Sequence, residues 1–309
     1  MKSHYDVIIV GGGPAGLSAA LVLGRARRRV LVLDDGDPRN ARAEGVRGFL
    51  TRDGTSPLEV LRLGREEVAR YGVEVRHERA VAACQCGDQL DVGVPLFEVT
   101  LSGGGVVRAR KLLLATGVRD EIPGVEGMAT WFGKGVYHCP YCDAYEHRDR
   151  PLATFGRIAG AAGLALALLD WSRDVTVLTH GEEPEPETLA QLELNGVKVS
   201  RIRVARLFGE SGGSGRLRGA ELEDGTRVEF EALFLSTARV QHSELPALLG
   251  VEMDDRDEGE TDRLQHTDVL GLFLAGDADG DVQFAIVAAA EGAKAGVAIN
   301  LELQKELRL

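Results

Sequence analysis

A pattern near the start of the chain recurs in its middle, and that recurrence limits the folds open to it. The first copy runs from an apolar strand, residues 7–10, through Gly11-Gly12-Gly13-Pro14-Ala15-Gly16 into an alanine-rich helix, 17–25. A second strand, 30–33, follows and ends in Asp34. Residues 6–13 are echoed by 151–158, 30–36 by 175–181, 71–75 by 195–199, and 111–117 by 232–238. A supersecondary unit repeated in this order predicts two similar domains, each a sheet covered on both faces.

The glycine spacing says what such a unit binds. Gly11 permits a tight turn, Gly13 lets a pyrophosphate approach the backbone, and Gly16 lets helix and strand pack closely. The helix N-terminus supplies free N–H groups to phosphate. Asp34, 18 residues past Gly16, stands close to the spacing at which a carboxylate takes ribose hydroxyls. Alternating short segments at 79–86, 96–101 and 106–108, separated by glycine turns, predict a β-meander, with a buried strand at 111–117 after it. A polar irregular stretch covers 36–56, a helix 57–71, an exposed loop 254–265 and a long final helix 281–305. The expected class is α/β: two Rossmann-like three-layer domains with β-meanders, the second inserted into the first. Residues 1–117 and 241–309 form the outer domain and 118–240 the inserted one, with hinges near 116–118 and 237–240.

The middle of the chain carries His138-Cys139-Pro140-Tyr141-Cys142-Asp143. Two cysteines two residues apart can close a small disulfide ring that a thiolate opens and re-forms. They can also be half of a zinc site, which wants four ligands, usually from a second close pair. The other cysteines, Cys84 and Cys86, have a one-residue gap that is no zinc knuckle, so no metal is expected. A distant half-site from Cys84, Cys86 or His138 stays open. The polar company of Asp143, Glu146 and His147 favours redox chemistry over two structural cysteines. Cys84 and Cys86 read as reduced cysteines at a turn before Gly87-Asp88.

Four cysteines in 309 residues are no disulfide framework, and a Cys-x-x-Cys in a reducing cytoplasm is more often catalytic than structural. A cytoplasmic location is expected, since the first residues enter a strand without a basic leader or cleavage site. No apolar run reaches the ~18 residues of a membrane span. A net charge of −12 argues against nucleic acid or an anionic membrane as partner.

Gly11 to Gly16, Ala115-Thr116-Gly117, Cys139-x-x-Cys142-Asp143 and Ala275-Gly276-Asp277 occur in the order found in low-molecular-weight thioredoxin reductases. The chain resembles that family over essentially its whole length. The resemblance implies FAD in the outer domain, its pyrophosphate at Gly11, Gly13, Pro14, Ala15 and Gly16, with Asp34 on a ribose. It implies further contacts from Ala115, Thr116 and Gly117, from Gly276 and Asp277 near the ribityl and phosphate, and from Gln283 beside the flavin ring. It gives Cys142 the place facing the flavin, Cys139 the exchange with substrate, and Asp143 the role of proton donor and acceptor, and it implies a homodimer. Directly after the turn, Asp143 can also serve as a helix cap, and both roles can coexist. The longer string Cys-Pro-Tyr-Cys-x-x-Tyr-Glu resembles the dithiol oxidases of gliotoxin and holomycin biosynthesis and their bacterial relatives. So does Asp37-Pro38-Arg39-Asn40, from which Asn40 is taken as a flavin contact, or equally as a turn former.

The inserted copy departs from the family. Its loop reads Gly156-Arg157-Ile158-Ala159-Gly160-Ala161, with Ile158 where the second glycine belongs, and a branched side chain there occupies the space of a pyrophosphate. After the strand 175–178 come Thr179-His180-Gly181-Glu182-Glu183 in place of arginines, so NADPH is not expected. NADH use, ferredoxin as donor, or no nucleotide at all remain open. His138 is a further candidate, ranked below Asp143, for lowering the pKa of Cys139. Trp131, Trp171 and the other histidines read as packing or surface residues.

The expected function is an FAD-dependent thiol-disulfide oxidoreductase. It passes two electrons between flavin and a dithiol/disulfide substrate, small or thioredoxin-like, through Cys139 and Cys142. An NAD(P)H- or ferredoxin-dependent thioredoxin reductase is the alternative within the class. A flavin-binding redox-sensing or docking protein is the alternative outside it, and Asp143 beside an intact pair speaks against that.

Overall fold

The structure, a computed structural model, describes residues 4–86, 96–210 and 215–306. In chain order its elements are β1 (His4–Val10), α1 (Pro14–Arg25), β2 (Val30–Asp34), α2 (Pro57–Ala69), β3 (Glu74–His77), β4 (Ala80–Cys86), β5 (Leu96–Leu101) and β6 (Val106–Leu114). There follow β7 (Val118–Asp120), α3 (Met128–Trp131), β8 (Val136–Tyr137), α4 (Pro140–Asp143), β9 (Leu152–Gly156), α5 (Ile158–Leu168), β10 (Val175–Leu178), α6 (Pro186–Leu194) and β11 (Lys198–Ser200). The rest are β12 (Val204–Gly209), β13 (Leu217–Leu222), β14 (Arg227–Glu229), β15 (Ala232–Ser236), β16 (Arg239–Gln241), α7 (Leu245–Leu248), β17 (Leu272–Leu274) and α8 (Ala285–Glu306).

These elements form two compact units. Unit 1 comprises Met1–Ala41, Phe49–Arg119 and Val240–Leu309. Its sheet runs β3-β2-β1-β6-β5-β4, with β17 also paired to β6. The segments expected at 106–108 and 111–117 are one strand that, besides β1, serves two further neighbours. Residues 106–109 pair antiparallel with β5, and Leu112–Leu114 pair parallel with β17. β1 is an unbroken apolar run because both its faces are covered, as in parallel sheets generally. Val7 and Ile9 pack with α1, α2 and α8, while Ile8 and Val10 pack under the meander. α8 lies against α1 so closely that a Cβ on Gly292 would meet the Ala15 carbonyl oxygen at 1.9 Å.

Two expectations shift here. The final helix starts at Ala285, not 281, because the Asp279 and Asp281 side chains accept the N–H groups of 281 and 282 into a local turn. The loop 254–265 is not wholly exposed: Glu258 and Gln265 are buried in it. Gln265 Nε2 donates to Asp279 Oδ2 at 2.6 Å, and the Asp254 carboxylate accepts the Glu258 N–H, so the loop is drawn onto the Gly276–Gly280 turn.

Unit 2 comprises Arg42–Gly48 and Asp120–Arg239. Its parallel sheet, β11-β10-β9-β15-β8, repeats the order β3-β2-β1-β6-β17 of unit 1, with β12-β13-β14 as a separate antiparallel meander. Apolar clusters lie on both faces of the parallel sheet. This is the expected α/β class, a Rossmann-like unit inserted into another. The segment 42–48, from the polar stretch after β2, joins the inserted unit, which its sequence position did not suggest.

Candidate functional site

Unit 1 holds the first candidate site, at the C-terminal ends of β1, β2 and β6. Gly11 turns with φ +109°, and a Cβ there would lie 2.1 Å from the Ala115 carbonyl oxygen. A Cβ on Gly16 would lie 1.9 Å from the Gly11 carbonyl oxygen, so both glycines are required by the fold itself. Gly13 differs: a Cβ there meets nothing within 4 Å. The space above it is open, and no side chain caps α1, whose N1 residue is Pro14 and whose first turn includes Ala15. Thr116 Oγ1 is buried without a hydrogen-bond partner, next to Gly117 at φ +65°. A glycine cradle left open, uncapped helical N–H groups and an unsatisfied hydroxyl fit a dinucleotide phosphate.

The acids around this cradle are already oriented. Asp34 Oδ1 accepts the Gly36 N–H, and its Oδ2 is held by Arg65 at 2.6 Å. Gly12 must lack a side chain because a Cβ would sit 2.5 Å from that carboxyl. Asp277 and Gln283 are brought together by Arg39, whose Nη1 is 2.8 Å from Asp277 Oδ2 and 2.6 Å from Gln283 Oε1. Sequence reasoning chose Asn40 in this stretch; Asn40 is half-buried, but the residue that links the expected contacts is its neighbour Arg39. Gly276 Nα donates to the buried Glu291 at 2.8 Å, and burial pushes that carboxyl up to about 7. Neither Arg39, Arg65 nor Glu291 carries a local signal, since each acts on a partner distant in sequence.

The counterpart loop in unit 2 has the same turn but not the same cradle. Gly156 has φ +136°, and a Cβ would meet the Ser236 carbonyl oxygen at 2.0 Å, as Gly11 meets Ala115. Ile158, in Gly13's place, opens α5 and packs against the apolar cluster of Ala161, Ala162 and Ala165. The end of β10 corrects one expectation. It is not simply acidic, because Arg201 pairs with Glu183 at 2.9 Å and Arg203 lies 3.2 Å from His180 Nε2. Arg203 also pairs with Glu223 at 3.4 Å. These arginines come from beyond β11, outside the window in which a motif search looks for them.

The cysteine pair lies in unit 2. Cys139 and Cys142 are joined by a disulfide with Cα atoms 5.3 Å apart, spanning the first turn of α4. Both are half-buried, and exposed Tyr141 between them meets Trp171 edge-on at 5.4 Å. Asp143 ends α4 and makes no capping bond, so the cap reading fails; it is half-buried. Burial and the Glu146 carboxylate push Asp143 up to about 7; Arg47 opposes them and Glu44 adds to the rise. Arg47 Nε is 3.2 Å from Glu146 Oε1. Tyr137, whose hydroxyl is 3.3 Å from His147 Nε2, is raised well above its usual range by burial and by Asp143. His138 Nδ1 stands 3.9 Å from Asp120 Oδ2. Among the described residues no three metal-type ligands converge. Cys84 and Cys86 are free, their Sγ atoms 3.6 Å apart at the end of β4; the turn expected at Gly87-Asp88 lies outside the described residues. Trp131 packs in a core cluster, as expected.

Comparison with known proteins follows the same lines. Residues 5–292 match the family described as pyridine nucleotide-disulphide oxidoreductase. Thioredoxin reductase aclD of Aspergillus oryzae is 31% identical, over 97% of this chain and 96% of that protein. Thioredoxin reductase sirT of Leptosphaeria maculans is 28% identical, over 97% and 94%. Among solved structures, HlmI superposes with a TM-score of 0.93 at 37% identity, covering 99% of this chain and 94% of HlmI.

Proposed function

The chain belongs to the pyridine nucleotide-disulphide oxidoreductase family and is an oxidoreductase of the thioredoxin reductase type; from that premise we propose that it is an FAD-dependent dithiol oxidase. The observation that carries this reading is the contrast between the two glycine loops. Unit 1 keeps the open cradle above Gly13, while Ile158 fills the matching position in unit 2. Gly11, Gly13, Pro14, Ala15, Gly16 and Asp34 hold the adenosine diphosphate part of FAD, with Thr116, Gly276, Asp277, Gln283 and Asn40 toward the flavin. Bound FAD supplies a two-electron acceptor that molecular oxygen can regenerate.

The chain's own residues do the thiol chemistry. A substrate thiolate attacks Cys139 Sγ, the Cys139–Cys142 bond breaks, and Cys142 leaves with the electron pair as a thiolate. The substrate's second thiolate then attacks the mixed disulfide and releases Cys139, so the substrate is oxidised to a disulfide and the pair is reduced. Asp143 takes the proton that the first substrate thiol sheds and passes it to solvent before the second exchange, and a carboxyl near 7 is half-ionised at neutral pH, as such a shuttle requires. The substrate is a small dithiol of the kind implied by the Cys-Pro-Tyr-Cys string; thioredoxin as substrate is the alternative outcome of the test. The working form is a homodimer.

Anaerobic stopped-flow spectroscopy of the bound flavin tests the reading. Dithiothreitol should bleach it through Cys139 and Cys142, and Cys142→Ser should abolish that bleaching. Rapid bleaching by NADPH, NADH or reduced ferredoxin, with none by dithiols, would make the protein a reductase instead.

A further inference from the structure

Arg39 follows β2 in an irregular stretch, yet its side chain is held largely out of water, at 14% exposure. Within unit 1 it joins two connections far apart in sequence, one between β2 and α2 and one between β17 and α8. Its Nη1 donates to Asp277 Oδ2 at 2.8 Å and to Gln283 Oε1 at 2.6 Å. A guanidinium has donors and no acceptor, so the Gln283 atom that faces it is fixed as the oxygen. The NH2 group is the end of the amide left over. It reaches the Asp277 carbonyl oxygen at 3.4 Å, and an NH2 group carries a second hydrogen for a ligand. Asp277 and Gln283 are the two side chains, proposed above to lie toward the flavin, whose orientation one guanidinium thus decides.

We propose that Arg39 is a positioning residue that raises the reduction potential of the bound flavin, by presenting Gln283 as a hydrogen-bond donor and by offsetting the charge of Asp277. The inference rests on the FAD site proposed above and adds a residue to it. The dithiol form of Cys139 and Cys142 gives up an electron pair and two protons as its S–S bond re-forms. The pair and one proton go to the flavin, the other proton goes to solvent, and the reduced ring is left an anion. Hydrogen bonds and charges near the ring tune that equilibrium. A donor favours the anion, and an uncompensated carboxylate disfavours it. Arg39 supplies the first through Gln283 and prevents the second at Asp277, so both of its contacts act in one direction. That direction suits an enzyme whose flavin accepts electrons from thiols.

The experiment measures a potential, not turnover. It uses the holoprotein carrying Cys139→Ser and Cys142→Ser, so that this disulfide takes no electrons, and reduces it anaerobically beside a dye of known potential. The FAD retained per chain after dilution is measured in parallel. Arg39→Met should move the ratio of reduced to oxidised flavin about tenfold toward oxidised, a fall of about 30 mV for two electrons. Arg39→Lys, which keeps a charge beside Asp277 without the planar fork, should recover part of that fall. Gln283→Leu should lower the potential by itself, and Arg39→Met added to it should lower it by less than Arg39→Met does alone. A side chain that only holds the fold together would weaken FAD binding in both redox states alike. Weaker FAD retention with an unchanged potential in Arg39→Met would therefore overturn the proposal, and so would a raised potential. If Arg39→Met purifies without flavin, Gln283→Leu decides, and a potential equal to the parent's overturns it. A parent protein that holds no FAD would instead sink the proposed function.

Discussion

Gly13 and its neighbours separate what the fold requires from what a ligand requires. Gly11 and Gly16 lack side chains because a Cβ would collide with backbone oxygens, so alanine at either damages the fold. Nothing in the protein crowds Gly13. Gly13→Val should therefore keep the urea midpoint of the FAD-stripped parent but purify colourless, and stoichiometric FAD in that variant would refute the cradle. Asp143 gives a second test at this scale. Its folded pKa, about 7, lies above the ordinary value of about 3.9, so the folded state holds the extra proton. That contribution to stability is full below about pH 4, is lost as pH rises toward 7, and stays lost above. Asp143→Asn cannot ionise and should gain on the parent by up to about 1.4 kcal/mol per pH unit across that window. Urea unfolding of both proteins at pH 5 and pH 8 should show the gap only widening with pH; a constant gap would show that the proton affinity of Asp143 is not raised in the folded state.

At the scale of elements, α8 is pinned to β6 by charge, as it is to α1 by glycine contact. Lys111, 1% exposed, donates to Glu302 at 2.5 Å and lies 2.9 Å from Glu306, which also pairs with Arg110. Removing both carboxylates leaves a buried ammonium uncompensated, so Glu302→Ala with Glu306→Ala should cost about 3–5 kcal/mol. Lys111→Met should cost less than half of that, because the glutamates keep solvent, Arg110 and His266. Equal losses in urea titrations would show that the pair acts by packing alone. Such contacts also mark where sequence reading stops. The glycine loops were legible because φ above zero and a 2 Å approach are local demands that only one residue type meets. The cysteine pair was legible because its chemistry fits within one helical turn. Arg39 reaches Asp277 and Gln283 across more than two hundred residues, and Arg203 reaches His180 from the connection after β11. A long guanidinium chooses its partner only once the sheet has formed, so spacing carries no trace of it. The same holds for segment 42–48, whose unit is set by where Arg42 and Val46 pack.

Over the whole molecule one strand order occurs twice, and the two copies differ at their glycine loops. Association as a homodimer should appear as twice the chain mass in light scattering at micromolar concentration, and a monomer mass would refute it. Divergence has a sharper consequence. The turn geometry of Gly11 survives at Gly156, so the second loop still folds as a nucleotide loop. Its phosphate space is filled by Ile158, and the arginines nearby are committed to Glu183 and Glu223. One FAD per chain and weak binding of pyridine nucleotide are therefore the expected outcomes. Micromolar NADPH should leave the flavin oxidised over seconds under nitrogen, whereas dithiothreitol bleaches it. Ile158→Gly should reopen the approach at some cost in stability, since it removes a packed side chain. It should tighten NADPH binding, followed by fluorescence titration, by about tenfold, or ~1.4 kcal/mol. If the parent already binds NADPH at micromolar concentration and its flavin bleaches at once, Ile158 is no obstacle, and the second loop works as the first one does.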